Sequence, residues 1–152
     1  MGAVFISYRR GDSSGTAGRL YDRLSFALGR QRVFMDVDSI EPGSDFVDVL
    51  DRHLAECEVL LAVIGPHWLG ANDAQGRRRI DDEADFVRLE IVGALSRQIR
   101  VIPILVDGAS PVSASDLPAD LKSLARRQAI ELRHERFGAD ADQIADTLRK
   151  IM

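Results

Sequence analysis

The chain has 152 residues, enough for one domain of ordinary size, with 45% apolar and 29% charged residues, so a packed core is within reach and pervasive disorder is not expected. Lys and Arg number 20 against 24 Asp and Glu, a net charge of -4, where binders of a nucleic-acid duplex carry a basic excess. No window approaches the roughly 20 apolar residues of a membrane span, the N-terminus lacks the features of a signal peptide, and the expectation is a cytoplasmic protein. The single cysteine, Cys57, forms no internal disulfide, and His53, His67 and His134 stand too far apart for metal-ligand spacing.

In chain order, Ala3-Val4-Phe5-Ile6-Ser7-Tyr8 is a short apolar run that suits a buried strand. After a loop, Ala17, Leu20, Tyr21, Leu24 and Leu28 recur at helical spacing up to Gly29. Val33-Phe34-Met35 is a second strand, 36–44 a loop, and Phe46, Val49, Leu50 and Leu54 mark one face of a second helix. The run 58–64 is the most continuous apolar stretch and reads as a central strand covered on both faces. A polar connection over 65–80 is long enough to be a functional segment, with Trp68 as a buried anchor beneath it.

A third helix should follow, with Asp82, Glu83 and Asp85 in its first turn and its end near residue 97. Residues 101–106 read as a strand in which Pro103 implies a bulge or a lost ladder bond. A short helix over 117–124, a strand over 128–132 and a last helix over 140–151 complete five β-α units. Such alternation with right-handed crossovers builds a parallel sheet between helices. The predicted fold is a flavodoxin-like three-layer α/β sandwich, strand order 2-1-3-4-5, in a single domain over 1–152. Ligands of such sheets bind beyond the carboxyl ends of the strands where the order reverses, so the loops 8–14, 36–44 and 65–80 become the candidates.

Arg9 and Arg10 follow the first strand and offer guanidinium forks for a phosphate or carboxylate, or are an ordinary surface pair. No glycine-rich phosphate loop occurs, which disfavours a dinucleotide site of the Rossmann kind and a P-loop. Asp36, Asp38 and Glu41 with Pro42-Gly43 form an acidic loop of partly preset shape, which is either functional or simply solvated. A phosphoacceptor receiver is disfavoured because Tyr8-Arg9-Arg10 stands where its second acidic pair belongs. Phe86, Glu90 and Gly93 share a stripe on the third helix that borders the core. Gly93 marks a close approach. Glu90 either faces something lodged against that stripe or pairs with a nearby arginine such as Arg88 or Arg97.

Taken together, Val4-Phe5-Ile6-Ser7-Tyr8-Arg9-Arg10, Val33-Phe34-Met35-Asp36-Val37-Asp38, the loop to Pro42-Gly43, and the run from Asp85 through Phe86 and Glu90 to Val92 resemble the Toll/interleukin-1 receptor (TIR) domain. The likeness spans essentially the whole chain and is greatest to the bacterial and NAD-cleaving branch. The resemblance implies that Glu90 is catalytic, that Phe86 replaces a stacking tryptophan, that Tyr8, Arg9 and Arg10 line a nucleotide pocket, and that Asp36 and Gly43 flank it. It further implies an NAD+ nucleosidase with no cofactor and no metal, NAD+ being the substrate. The products are nicotinamide and ADP-ribose or a cyclic isomer. Activation by assembly with other TIR domains, a sensor module beyond this N-terminal effector domain and a part in bacterial anti-phage defence go with it. A non-catalytic TIR interaction module that recruits or mimics other TIR domains is the alternative. Phe86-x-x-x-Glu90 favours the enzyme, since a scaffold has no reason to keep a carboxylate beside an aromatic in the cleft.

Overall fold

The computed structural model describes residues 2–35 and 42–152. Five parallel strands, β1 (Ala3–Ser7), β2 (Val33–Met35), β3 (Cys57–Ile64), β4 (Arg100–Val106) and β5 (Ile130–Leu132), lie in the order 2-1-3-4-5 that the sequence predicts. The helices are α1 (Ser14–Leu28), α2 (Phe46–Ala55), α3 (Phe86–Ser96) and α4 (Phe137–Ile151).

Strand periodicity sorts the core into two layers, because successive side chains leave a strand on opposite faces. Ala3 and Phe5 on β1, Leu60, Ala62 and Ile64 on β3, and Val101 and Leu105 on β4 pack with α2 and α3. Val4 and Ile6, Val59, Leu61 and Val63, and Ile102, Ile104 and Val106 pack with α1 and α4. Both faces are dry, which is why β1 and most of β3 carry almost no polar residue. One irregularity lies at the edge of this pattern: Ala3 pairs with Cys57 and Val4 with Val59, so Glu58 is an extra residue, and its carboxylate accepts the Gly2 N–H at 2.9 Å.

Several boundaries differ from the sequence expectation. Pro103 causes no register shift: it pairs with Ala62, and the ladder to β5 begins only at Ile104, where N–H groups are again available. The acids at 82–85 do not open α3. Asp82 accepts the Ala84 N–H at 2.9 Å in a turn of its own, and the helix begins at Phe86 with Asp85 as its N-cap. The segment after β4 is a 3-10 helix, Ala119–Arg126, entered from Pro118, and not an α-helix. The last helix starts at Phe137, three residues before the expected position, because Phe137 is itself buried in the α1/α4 layer. Trp68 and Ile80, 1% and 0% exposed, pin the long 65–80 connection to the α2/α3 layer.

Candidate active site at the carboxyl end of the sheet

β1 ends at Ser7, and the period-2 alternation decides what its next residues face. Ser7 and Arg9 turn to the α2/α3 layer, whereas Tyr8 packs against the α1/α4 core. At the strand-order reversal itself, Asp12 draws the loops after β1 and β3 together by accepting the N–H groups of Gly65 at 2.9 Å and His67 at 2.7 Å. A Cβ on Gly65 would stand 2.6 Å from an Asp12 oxygen, so a larger residue there would have to displace that carboxylate. On the α3 side of β1 lie the buried polar side chains Ser7, Arg9 and Glu90.

Glu90 stands there. It is 4% exposed on α3, and Oε1 accepts the Ser7 hydroxyl at 2.9 Å. The two arginines offered as local partners take others: Arg88 donates to Asp120 and to the Ile80 carbonyl, and Arg97 pairs with Asp51. The close approach expected at Gly93 is intramolecular, for a Cβ on it would lie 2.7 Å from Leu54 Cδ1 of α2.

Arg9 and Arg10, adjacent in sequence, fare differently. Arg9 is 2% exposed, and its fork is spent on both oxygens of Asp85, at 2.9 and 2.8 Å, while its guanidinium lies 6.0 Å from the centre of the Trp68 ring. Arg10 is exposed. The Asp85 carboxylate also accepts the Arg88 N–H at 3.1 Å, so one side chain caps α3 and ties it to β1. Removing either member of a buried pair strands the other charge at a cost of about 3–5 kcal/mol, which makes Arg9 a structural residue whatever else it does.

Phe86, the first residue of α3, is half-buried and meets the Phe46 ring of α2 at 5.7 Å with a 42° tilt. Phe46 is 42% exposed and was not singled out as a site residue from the sequence. Gly43 lies on the exposed turn before α2 with φ of 89°, a backbone that side chains rarely adopt. Asp36 lies outside the described residues. His67 and His134 are exposed, and His53 is half-buried edge-on to Phe34. Burial and the neighbouring Glu56 push the Cys57 thiol up to about 12, so it stays a protonated core group.

A family model described as TIR domain matches residues 4–149. The chain belongs to the TIR domain family. It is 30% identical over 148 residues to the Drosophila melanogaster protein named NAD(+) hydrolase sarm1, a match covering 96% of this chain and 10% of that protein, so the chain spans about a tenth of that relative's length. Among solved structures, the TIR domains of the activated Roq1 resistosome, a complex described as directly recognising the effector XopQ, superpose with a TM-score of 0.67 at 15% identity and full coverage of both chains. A metazoan TIR-STING receptor from C. gigas, in complex with 2',3'-cGAMP, superposes with a TM-score of 0.60 at 19% identity over 97% of this chain and 39% of that one. At these identities both structures speak for the fold alone.

Proposed function

We propose that this TIR domain is an NAD+ nucleosidase in which Glu90 is the catalytic carboxylate. The observation that carries the proposal is a glutamate 4% exposed, on the helix beside the carboxyl end of β1, and held there by a strand hydroxyl. The relation to a protein named as an NAD+ hydrolase supports the choice of substrate. Cleavage breaks the bond between ribose C1′ and the pyridinium nitrogen, whose electron pair leaves with neutral nicotinamide. No proton is needed on that leaving group, so the second carboxyl group of an ordinary glycosidase has no task here. Positive charge develops on the ribose, and a carboxylate already stripped of water attracts it more strongly than a hydrated one would. Water then adds its oxygen at C1′ and gives up a proton, yielding ADP-ribose. A hydroxyl of the same molecule in place of water yields a cyclic product.

Phe86, with Phe46 against it, supplies apolar π faces for a nicotinamide or adenine ring. Arg10, the exposed one of the two arginines, is the one we assign to a phosphate, whereas Arg9 is buried. Tyr8, Asp36 and Gly43 are carried in the proposed pocket by family resemblance. On the same resemblance the site is completed by assembly with other TIR domains, a sensor module outside these 152 residues triggers it, and the setting is bacterial anti-phage defence in the cytoplasm. No helix among the described residues is long and apolar enough to cross a membrane.

The test is incubation of concentrated protein with NAD+, with and without a crowding agent, following nicotinamide release. Release that depends on Glu90 supports the enzyme. A folded, assembled protein that releases none would leave the non-catalytic interaction module as the reading.

A further inference from the structure

We propose that Ser7 is a positioning residue for Glu90, and that the Arg9–Asp85 pair sets the height at which α3 meets the sheet so that the Ser7 bond can form. The catalytic meaning of this inference rests on the function proposed above; its physical part rests on geometry. Ser7 is 1% exposed and follows Ala3 and Phe5 on the apolar side of β1, where an unpaired hydroxyl would cost about 1–3 kcal/mol. The hydroxyl instead donates to Glu90 Oε1 across 83 residues of sequence. Glutamate has three side-chain torsions, and a donor fixed on the strand favours those orientations that bring Oε1 to it. A carboxylate acceptor makes such a bond of the stronger kind.

The second contact lies two residues further along the chain, just past the end of β1. Arg9 grips Asp85 with two prongs, and Asp85 in turn caps α3 through the Arg88 N–H. The spacings agree: two residues of extended chain reach at most about 7 Å, and five residues of helix advance about 7.5 Å. With α3 running against the direction of β1, Ser7 meets Glu90 while Arg9 meets Asp85. A helix held at two such points has little freedom to slide along the sheet, and a displacement of about 1 Å is enough to cost a site on the order of a hundredfold in rate.

The experiment compares Ser7→Ala, which removes the donor, with Ser7→Thr, which keeps a hydroxyl, in the complete protein under the assembled conditions used for the parent. Ser7→Ala is expected to lower kcat about ten- to hundredfold with KM within about twofold, a loss of the size expected for one hydrogen bond to a charged group. Ser7→Thr should recover most of it. In parallel, urea unfolding of Ser7→Ala, Glu90→Ala and the double variant reads the contact without any activity. The double variant should lose less than the sum of the single losses, because each single change already removes the shared Ser7–Glu90 contact. Parental kcat in Ser7→Ala while Glu90→Gln is dead, or strictly additive unfolding shifts, would overturn the positioning role and leave the nucleosidase reading intact. No turnover by the parent would instead sink the nucleosidase reading, and the Ser7–Glu90 contact would then be judged by the unfolding cycle.

Discussion

At the scale of single residues, charge and ring area at the site make separate predictions. Glu90→Gln keeps shape and an oxygen able to accept from Ser7, but removes the negative charge that opposes the developing ribose cation. Nicotinamide release should fall by at least about a hundredfold, as for loss of one preorganised electrostatic group, while the circular dichroism spectrum and unfolding midpoint stay near parental values. Turnover near the parental rate in folded Glu90→Gln would remove Glu90 from the chemistry. Phe86 tests ring recognition: Phe86→Trp enlarges the face offered to the substrate and should hold or lower KM, and Phe86→Ala should raise it. Since Phe86 also packs on Phe46 and the α2/α3 core, the alanine variant will lose stability too, and KM must be measured below its unfolding range.

At the scale of elements, the first turn of α4 carries a pH dependence of its own. Asp140 accepts bonds from Arg133 Nε and Nη2 and from the Arg133 backbone N–H, each at 3.0 Å, and these contacts pull its carboxyl from the ordinary 3.8 down to about 2. The folded state thus keeps Asp140 ionised where the unfolded chain has begun to protonate it. Its contribution to stability is full above about pH 4 and is lost as pH falls toward 2. Asp140→Asn should lower the urea midpoint at neutral pH and make its decline between pH 4 and 2 shallower than the parent's. Equal slopes in the two proteins would mean that the pair does not stabilise the fold.

Elements also show why some features were legible in the sequence. The interior strands of a parallel sheet are apolar on both faces, so their runs could be read directly, whereas their order followed from choosing a flavodoxin-like fold for the β-α alternation. The start of α3 was misplaced because Asp82, Glu83 and Asp85 all suit the positive end of a helix dipole, while only the local turns decide that Asp85 alone is the cap. The short helix after β4 carried apolar spacing that an α-helix and a 3-10 helix share over so few residues. At the site, Glu90 was visible as an acid on the edge of an apolar stripe. Ser7 was not, because a serine ending a strand looks like an ordinary boundary and its partner lies 83 residues away. The divergent fates of Arg9 and Arg10 were implicit in strand alternation, but only the presence of Asp85 opposite Arg9 made the difference visible.

For the whole molecule, the prediction concerns concentration. Three large apolar side chains are notably exposed among the described residues, Phe26, Phe46 and Val47, and two of them open α2 immediately beyond the turn at Gly43. That end of α2 borders the proposed site through the contact of Phe46 with Phe86, so a neighbouring copy seated on it would cover apolar surface and wall the substrate at once. A site completed in this way exists only in the assembled fraction, which mass action sets. Specific activity should therefore climb over a hundredfold rise in protein concentration, in step with light scattering from the same samples. Gly43→Pro should depress both together: φ of 89° lies far from the value near -65° that proline imposes, so the turn into α2 has to be rebuilt, whereas the strands and α3 are untouched. Constant specific activity in a protein that scatters as a monomer throughout would place the complete site within one chain, and Gly43→Pro would then alter turnover without any change in association.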